Sequence, residues 1–245
     1  MTIWSDIEEL DYQETALGEL LLRRRRDPAI PGEEIFEVKL GEDFLMSSQF
    51  HASEVALADL GLAALSADRP GPWAVVVGGL GLGHTAHAAL ANPEVGEVLV
   101  VEFLAPIIGW HQAGLVPLGS ALTNDERCRL VRADFFAAAS GDEGFDPDEP
   151  QRQFDAILLD IDHAPDNWLG ETSESFYSAV SLQAMSEHLA PRGVFALWSN
   201  DPPSAAFETE LHAAFVHGES HIVEFPNPYT GAQSACTVYV GLKDG

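Results

Sequence analysis

The chain has 245 residues, of which 46% are apolar and 9% aromatic, and this composition excludes a disordered protein. The longest apolar runs are too short to cross a bilayer, and the acidic first residues do not resemble a secretory signal, so we expect a cytoplasmic protein that binds no membrane. Thirty-nine acidic residues against twelve basic ones give a formal charge of −27, which argues against a nucleic-acid partner because the chain repels polyanions.

The remaining composition points to reduced thiols and no metal. Cys128 and Cys236 lie far apart and form no Cys-x-x-Cys pair, so we expect neither a disulfide nor a zinc site. His84 and His87, on the predicted helix after the Gly-rich turn, belong to no His-x-x-x-His or Glu-x-x-His arrangement, and no metal site is predicted there. The negative charge has two interpretations, which are solubility and the attraction of a cationic amine.

Residues 1–65 are predicted to form a small N-terminal domain, an antiparallel sheet of three short strands followed by a linking helix. Residues 34–40 alternate between polar and apolar side chains, as a half-buried strand does. The basic run at residues 23–26 is interpreted as a solvated strand end or turn. Residues 53–65 are rich in Ala and Leu and predict the helix, which should end near the Pro and Gly residues at 70–72.

Residues 66–245 alternate between apolar strands and helices, which predicts a Rossmann-like, doubly wound and mostly parallel sheet of the α/β class. The predicted strands are 74–77, 98–101, 128–132, 154–159 and 194–198, with a closing pair at 221–225 and 237–242. The predicted helices are 84–91, one from about residue 106, and 173–189. The acidic stretch at 141–150 is predicted to be an exposed loop.

Polar groups follow the first three of these strands, and ligands of open α/β sheets bind at the carboxyl ends of strands. Glu102 ends the second strand, where it could accept hydrogen bonds from ribose hydroxyls, and Asp134 follows the third, where it could accept from an adenine amino group. The alternative to ligand binding is that the turn after the first strand is only a tight connection and that the two acids only cap strand ends or lie on the surface. The first strand leads into a turn whose missing Cβ atoms allow close approach of a ligand, formed by Gly78, Gly79, Gly81 and Gly83.

The fourth strand ends in the best candidates for chemistry. Asp160, Asp162 and His163 place three ionisable groups within four residues, directly after a buried strand. An imidazole or a carboxylate can take a proton from an amine before that amine attacks. We therefore predict that His163 or Asp162 is the base and that Asp160 orients the nucleophile.

The order of these residues resembles the spermidine synthase (polyamine aminopropyltransferase) family, which has the class I S-adenosylmethionine-dependent transferase fold. The run Tyr-Gln-Glu-Thr at residues 12–15 is similar to the family's N-terminal sheet domain. The Gly-rich turn and Glu102 are similar to its cofactor turn and second strand, and Asp134 matches the acid that the family uses near adenine. The Phe-Tyr pair at 176–177 and the Pro-Tyr-Thr-Gly run at 228–231 also have counterparts.

The resemblance implies a transferase of polyamine biosynthesis that moves an aminopropyl group to an amine and forms a homodimer. Its co-substrate would be S-adenosylmethionine or the decarboxylated form, held by the four glycines, Glu102 and Asp134, with no metal. Gln49 and Tyr177 would contact the amine substrate.

The sequence departs from the family at three places. Gly81 and Leu82 replace an aspartate of the turn, His163 stands where the catalytic aspartate is expected, and Gln49, His51 and Glu54 lie where an Asp-Glu pair is expected.

Two alternatives stay open. A small-molecule methyltransferase on the same fold would use intact S-adenosylmethionine, and the missing aspartate in the turn favours it. A non-catalytic nucleoside-binding or scaffold protein would keep the fold without the base. The Asn-Asp-Pro-Pro run at residues 200–203 superficially suggests a nucleic-acid adenine methyltransferase, but it follows the fifth strand instead of the fourth and lies in a polyanion-repelling chain.

Overall fold

The computed structural model describes residues 7–27, 32–65, 69–161, 163–165 and 174–245. These residues form a four-stranded antiparallel sheet and a seven-stranded, mostly parallel sheet that is flanked by helices. The α/β class and the doubly wound sheet predicted from the sequence are thereby confirmed. No helix within the described ranges is long and apolar enough to cross a membrane.

The small sheet has four strands in sequential order, one more than predicted. They are β1 (Ile7–Thr15), β2 (Gly18–Arg26), β3 (Glu34–Leu40) and β4 (Asp43–Ser47). The extra strand arises because residues 7–26 fold back on themselves at a two-residue turn, where Thr15 pairs with Gly18. This turn lacks the Asn-Gly signal of a hairpin and is closed instead by the Thr15 hydroxyl, which donates to the Gly18 carbonyl at 2.7 Å.

The basic run at residues 23–26 does not form a turn but continues β2. Its arginines stay in the strand because acids on neighbouring strands pair with them. Arg23 Nε lies 2.7 Å from Glu37, Arg25 Nε lies 2.6 Å from the other oxygen of Glu37, and Arg26 lies 2.7 Å from Glu34.

Helix α1 (Ala52–Ala63) links the two sheets and packs on the large one. Gly61 permits this contact, because a Cβ there would lie 2.7 Å from Leu158 and 3.0 Å from Ala196. The buried residues Leu57 and Leu62 of α1 belong to one core that also contains buried residues of β2 and β3. The small sheet and the large sheet are therefore packed around a shared apolar cluster.

The large sheet has the strand order β10-β11-β9-β8-β5-β6-β7. Strands β5 to β9 are parallel, and β11 and β10 join antiparallel to β9. The chain leaves β5 toward β6 on one side and returns to β8 on the other, which creates the crevice where ligands of such sheets bind. The strands are β5 (Trp73–Gly78), β6 (Val95–Glu102), β7 (Cys128–Arg132), β8 (Phe154–Leu159), β9 (Leu189–Ser199), β10 (His217–Asn227) and β11 (Ala232–Leu242).

Helices cover both faces of this sheet, so its central strands are apolar on both sides. Val75 and Val77 belong to a core shared with α1 to α4, whereas Val76 belongs to a second core shared with α5 to α7. The helices are α2 (His84–Ala91), α3 (Ala105–Gln112), α4 (Gly119–Thr123), α5 (Phe135–Ser140), α6 (Ala179–Ser186) and α7 (Ala205–Ala214).

Five predicted elements, which are one helix, three strands and one loop, differ clearly from the structure. The long helix expected over 173–189 is a 3₁₀ turn, Glu174–Tyr177, followed by α6, because the Ser178 hydroxyl caps a new helix start. Strand β9 begins at Leu189 instead of residue 194, and β10 and β11 are eleven residues each. The acidic stretch at 141–150 is only partly exposed, since Phe145 and Asp146 are buried.

Candidate active site

The Gly-rich turn connects β5 to α2 and requires glycine for steric reasons. Gly79, Gly81 and Gly83 have positive φ angles of 91°, 48° and 92°. A Cβ on Gly79 would lie 2.2 Å from the Asp160 carbonyl oxygen, and one on Gly83 would lie 2.9 Å from His111. The turn is thus pressed against the end of β8 on one side and against α3 on the other. A Cβ on Gly78 would likewise lie 2.6 Å from the Phe135 ring.

Glu102 holds this turn in place. Its Oε2 accepts from the Leu80 amide at 3.0 Å, and its Oε1 accepts from the Leu104 amide at 2.7 Å. The side chain is buried, and burial raises the pKa of its carboxyl, against the effect of the surrounding backbone amides. Glu102 therefore already has a structural role at the position where ribose binding is predicted.

Asp134 also has a structural role, as the N-cap of α5. Its Oδ1 accepts from the amides of Phe136 at 2.9 Å and Ala137 at 3.2 Å. The cap uses only Oδ1. Strands β7, β6, β5 and β8 are neighbours, so the structure does bring Asp134, Glu102, the Gly-rich turn and Asp160 to one edge of the sheet.

Asp160 follows β8 and faces Glu54, which α1 brings to the same place. Thr85 on α2 donates from its hydroxyl to Asp160 Oδ2 at 2.6 Å, and Ser53 donates to Glu54 Oε2 at 2.8 Å. Burial raises the pKa of Asp160 to about 6. Burial and the Asp160 charge raise the pKa of Glu54 to about 7. Two carboxyls held together out of water cannot both ionise easily, so near neutral pH this pair retains part of one proton.

The pair lies in a cavity of about 80 Å³ between the small sheet and the carboxyl edge of the large one. Ligand sites for drug-sized molecules occupy roughly 300–1,000 Å³, so this cavity fits only a small group. Met46 narrows it further, since a Cβ on Gly81 would lie 2.8 Å from the Met46 sulfur. The lining is mostly apolar and is interrupted by two acids, two imidazoles and one serine. The lining residues are Leu45, Met46, Ser47, Glu54, Leu80, Gly81, Leu82, Gly83, His84, Asp160, Ile161, His163 and Trp198.

Two of the lining side chains have a buried nitrogen without a hydrogen-bond partner, His84 Nε2 and Trp198 Nε1. An unsatisfied buried donor or acceptor costs about 1–3 kcal/mol, and such groups occur where a ligand completes the site. His84 stacks on His51 with ring centroids 4.4 Å apart. Burial, together with the neighbouring histidines, lowers the pKa of His84 to about 4, so this imidazole is neutral at physiological pH.

The structure distributes the other predicted site residues differently. His163 lines the cavity, and its carbonyl accepts from the Asn200 amide at 2.7 Å, whereas Asp162 lies outside the described residues. Gln49 accepts a hydrogen bond from the Tyr229 hydroxyl at 2.8 Å, which ties the small sheet to the β10–β11 hairpin. Tyr177 is buried among Phe176 and other aromatic rings. Within the described part of the chain, no three His, Cys, Asp or Glu side chains converge to hold a metal.

Sequence reasoning missed Glu54 as the partner of Asp160, and it missed Thr85, His84 and Trp198 as neighbours of that pair. Glu54 lies in the first turn of α1, where an acid is ordinarily explained by the helix dipole. Only the packing of α1 and α2 against the end of β8 shows that these side chains converge. The close approach of Gly79 to the Asp160 carbonyl is part of this packing, because it places the turn and α2 directly beside Asp160.

Comparisons with known proteins agree with this geometry at the level of the fold. No protein-family model matches the chain. The crystal structure of a spermidine synthase in complex with the transition-state analogue AdoDATO matches with a TM-score of 0.71 and 16% identity, over 96% of this chain and 73% of that one. The spermidine synthase from Thermotoga maritima matches with a TM-score of 0.68 and 15% identity, over 96% of this chain and 72% of that one. The protein therefore has the spermidine synthase-like fold, in a sequence that has diverged far from these solved examples.

Proposed function

We propose that this protein is a transferase that alkylates a small amine at the Glu54–Asp160 cavity, with S-adenosylmethionine or its decarboxylated form as co-substrate. The observation that carries the proposal is the pair of half-buried carboxyls that line one cavity beside the Gly-rich turn, where limited access to water raises the pKa of Glu54 to about 7 and that of Asp160 to about 6. Groups with pKa values close to the working pH make efficient acids and bases. The spermidine synthase-like fold supports the choice of reaction class.

The chain's own residues supply the proton chemistry. An alkylamine resembles the lysine side chain, with a pKa near ~10, so at neutral pH it arrives as an ammonium. The partly ionised Glu54–Asp160 pair attracts that cation and then accepts one of its protons, which frees the nitrogen lone pair. A sulfonium co-substrate supplies an activated carbon, because its carbon–sulfur bond breaks with both electrons going to sulfur as the carbon–nitrogen bond forms. The apolar walls, with Leu80, Leu82 and Trp198, exclude water from the base.

The predicted cofactor residues fit a nucleoside only after a local movement. The turn at Gly79 and Gly81 offers backbone without side chains, and Asp134 keeps Oδ2 outside its helix cap. Each oxygen of Glu102 already accepts one backbone amide, so Glu102 would have to bind ribose hydroxyls with its remaining lone pairs. Met46 lies over Gly81, and it would have to swing aside, which an unbranched thioether side chain does readily.

Calorimetry with methylthioadenosine, S-adenosylmethionine and decarboxylated S-adenosylmethionine tests the cofactor, and mass spectrometry of amine mixtures then identifies the product. We expect binding of at least one nucleoside and a loss of transfer of about 10²-fold or more in Asp160→Asn. Exposed Glu126 serves as the matched control, and Glu126→Gln should transfer normally. Full transfer by both Asp160→Asn and Glu54→Gln would overturn the proposed role of the pair. Binding of no nucleoside would overturn the reaction class.

A small-molecule methyltransferase is the second candidate. The Gly-rich turn presents Leu80 and Leu82 to the cavity where the resembling family has an acid for its aminopropyl group. A turn without that acid gives no electrostatic preference for the decarboxylated, more cationic co-substrate. In the calorimetry, tighter binding of intact S-adenosylmethionine and a product heavier by one methyl group would select this alternative.

A further inference from the structure

We infer that the Thr85 hydroxyl is a positioning group that keeps Asp160 ionised and leaves the proton of the carboxyl pair on Glu54. This inference gives the two carboxyls different roles, with Asp160 as the proton acceptor and Glu54 as its protonated neighbour. Its catalytic consequence rests on the proposed function. The proton arrangement itself is a property of the ligand-free protein.

The hydroxyl of Thr85 has one proton and one good acceptor. It lies 2.6 Å from Asp160 Oδ2 and 3.5 Å from the Glu54 carbonyl oxygen, which is the outer limit for a hydrogen bond. A length of 2.6 Å falls in the range of O–H···O⁻ bonds, which are shorter and stronger than bonds between neutral groups. Thr85 is 2% exposed, so water does not compete for this proton.

Backbone contacts fix the position of Asp160 beside Thr85. Its amide donates to the Gly78 carbonyl at 2.8 Å, and its own carbonyl lies against Gly79, where even a Cβ would approach to 2.2 Å. Thr85 is itself fixed as the second residue of α2, directly after the Gly-rich turn. The turn therefore sets the distance between the Thr85 hydroxyl and the Asp160 carboxylate. When Thr85 is substituted, we expect no neighbouring hydroxyl to take over its hydrogen bond.

The hydrogen bond that the Glu54 carboxyl accepts uses one oxygen and leaves the other available for a proton. Ser53 donates to Glu54 Oε2 at 2.8 Å, an ordinary length, and this leaves Oε1 to carry the proton. Burial raises the pKa of both carboxyls, and each hydroxyl bond opposes this at the carboxyl that accepts it. The bond to Asp160 is the shorter one, at 2.6 Å against 2.8 Å, and a shorter charge-assisted bond favours ionisation of Asp160 over that of Glu54.

No lysine or arginine lines the cavity among the described residues, so the hydroxyls decide the order of ionisation. The other titratable groups near the pair are His84 of α2, His163 after β8, Cys236 of β11 and Asp201 after β9. His84 is neutral at physiological pH, and burial raises the pKa of the Cys236 thiol. Neither of these groups therefore adds a positive charge that would favour ionisation of Glu54.

Carbon-13 NMR of the full chain, with carboxyl-labelled Asp and Glu and no ligand, measures the order directly. The resonances are assigned with Asp160→Asn and Glu54→Gln. In the wild type we expect Asp160 to ionise at lower pH than Glu54. Thr85→Val, which keeps the side-chain shape, should raise the Asp160 midpoint by on the order of one pH unit. Thr85→Ser should retain the wild-type midpoint.

Thr209→Val is the matched control, since this exposed hydroxyl donates only to a helix carbonyl at 2.8 Å, and it should leave both midpoints unchanged. An unchanged Asp160 midpoint in Thr85→Val would overturn the inference, and so would ionisation of Glu54 before Asp160 in the wild type. The second outcome can be read even if Thr85→Val does not fold. Because no substrate is present, a failure of the proposed transfer reaction leaves this measurement intact. If transfer is observed, the acid limb of its pH profile should move upward in Thr85→Val and return in Thr85→Ser.

Discussion

A carboxyl that is shielded from water and has no cationic partner weakens the folded state when it is ionised, and the Glu54–Asp160 pair places two such groups in one cavity. Each has a folded pKa above its ordinary value, about 7 for Glu54 and about 6 for Asp160. At these two sites the folded chain therefore binds more protons than the unfolded chain between about pH 4 and pH 7. By linkage, the contribution of the pair to the free energy of unfolding falls as the pH rises through that window. The candidate site is thus a source of instability at neutral pH, as functional sites often are.

Glu54→Gln should stabilise the protein at pH 8, because it removes both a buried charge and the repulsion of Asp160. The amide oxygen can still accept from Ser53, so the packing is retained. A pKa rise from 4.5 to about 7 corresponds to about 3 kcal/mol, which is the expected gain at pH 8. At pH 5 wild-type Glu54 is mostly protonated, and the gain should shrink to less than about 1 kcal/mol. Urea unfolding at the two pH values measures the difference.

The control for this prediction is Glu126→Gln, which changes the same charge at an exposed position and should shift stability by less than about 0.5 kcal/mol at either pH. A gain in Glu54→Gln that is equal at pH 5 and pH 8 would show that Glu54 does not titrate between them. A loss of stability at pH 8 would show that the ionised carboxylate is well compensated in the fold.

At the scale of elements, the acidic segment between α5 and β8 is fixed by one buried side chain. Asp146 is 2% exposed and accepts from Arg129, from Arg152 at 3.2 Å and from the Asp148 amide at 3.0 Å. Burial works to raise the pKa of Asp146, but the hydrogen bond from Arg129 prevails and lowers it. Asp146 therefore remains charged at all moderate pH values and holds both arginines against the segment.

Asp146→Ala should cost about 2–4 kcal/mol, because it leaves partly buried arginines without their shared partner. Asp148→Ala is a matched control. Asp148 pairs with the same Arg129 at 2.6 Å, but its side chain is 79% exposed, so its loss should cost less than about 1 kcal/mol. Chemical unfolding of both variants at pH 7 provides the comparison. Equal costs would mean that burial of Asp146 contributes nothing beyond a surface ion pair.

Elements with a strong local pattern could be predicted, and elements set by distant contacts could not. Helix α2 and strands β7 and β8 match their predicted bounds, because an apolar run between turn residues determines each of them. Strands β10 and β11 are longer than predicted, since their outer halves pair as an exposed hairpin with polar side chains.

The candidate site shows the same division. Asp160 and the glycines are visible in the sequence because they stand at a strand end and in a turn. Glu54 is noted only as one of three residues where the resembling family has an Asp-Glu pair, and its pairing with Asp160 is not visible, because nothing local to α1 indicates that this helix packs against the end of β8. Asp134 illustrates a further difficulty, since one position, the residue between a strand and a helix, suits both a ligand-binding acid and an N-cap. Pattern alone cannot separate the two roles.

On the scale of the whole molecule, the charge of −27 means that acids outnumber bases more than threefold, so most acids can have no cationic partner. Among the residues that the structure describes, eight of the twelve basic side chains pair with acids, and these are Arg23, Arg24, Arg25, Arg26, Arg69, Arg127, Arg129 and Arg152. Half of them lie on β2 of the small sheet, so that sheet uses a large share of the positive charge. Most of the 39 acids are left to repel one another across the surface.

Self-repulsion of this size predicts that salt stabilises the fold. Repulsion acts mainly on the compact state, where the charges lie closest, and it is screened when the Debye length falls from about 30 Å at 0.01 M salt to below about 10 Å above 0.1 M. We therefore expect the unfolding temperature in KCl to rise by several degrees between 0.01 M and 0.5 M, with most of the rise below about 0.2 M. Differential scanning calorimetry at pH 7 measures this.

Potassium chloride is preferable to sulfate in that experiment, because sulfate also stabilises proteins through exclusion from their surface. Screening and exclusion differ in their concentration dependence, since screening saturates at low salt and exclusion grows steadily. At pH 4.5, where many surface carboxyls approach protonation, the same titration should produce a smaller rise. A flat response at pH 7, or a decrease, would mean that the internal ion pairs outweigh the repulsion, because screening would then weaken attraction more than repulsion.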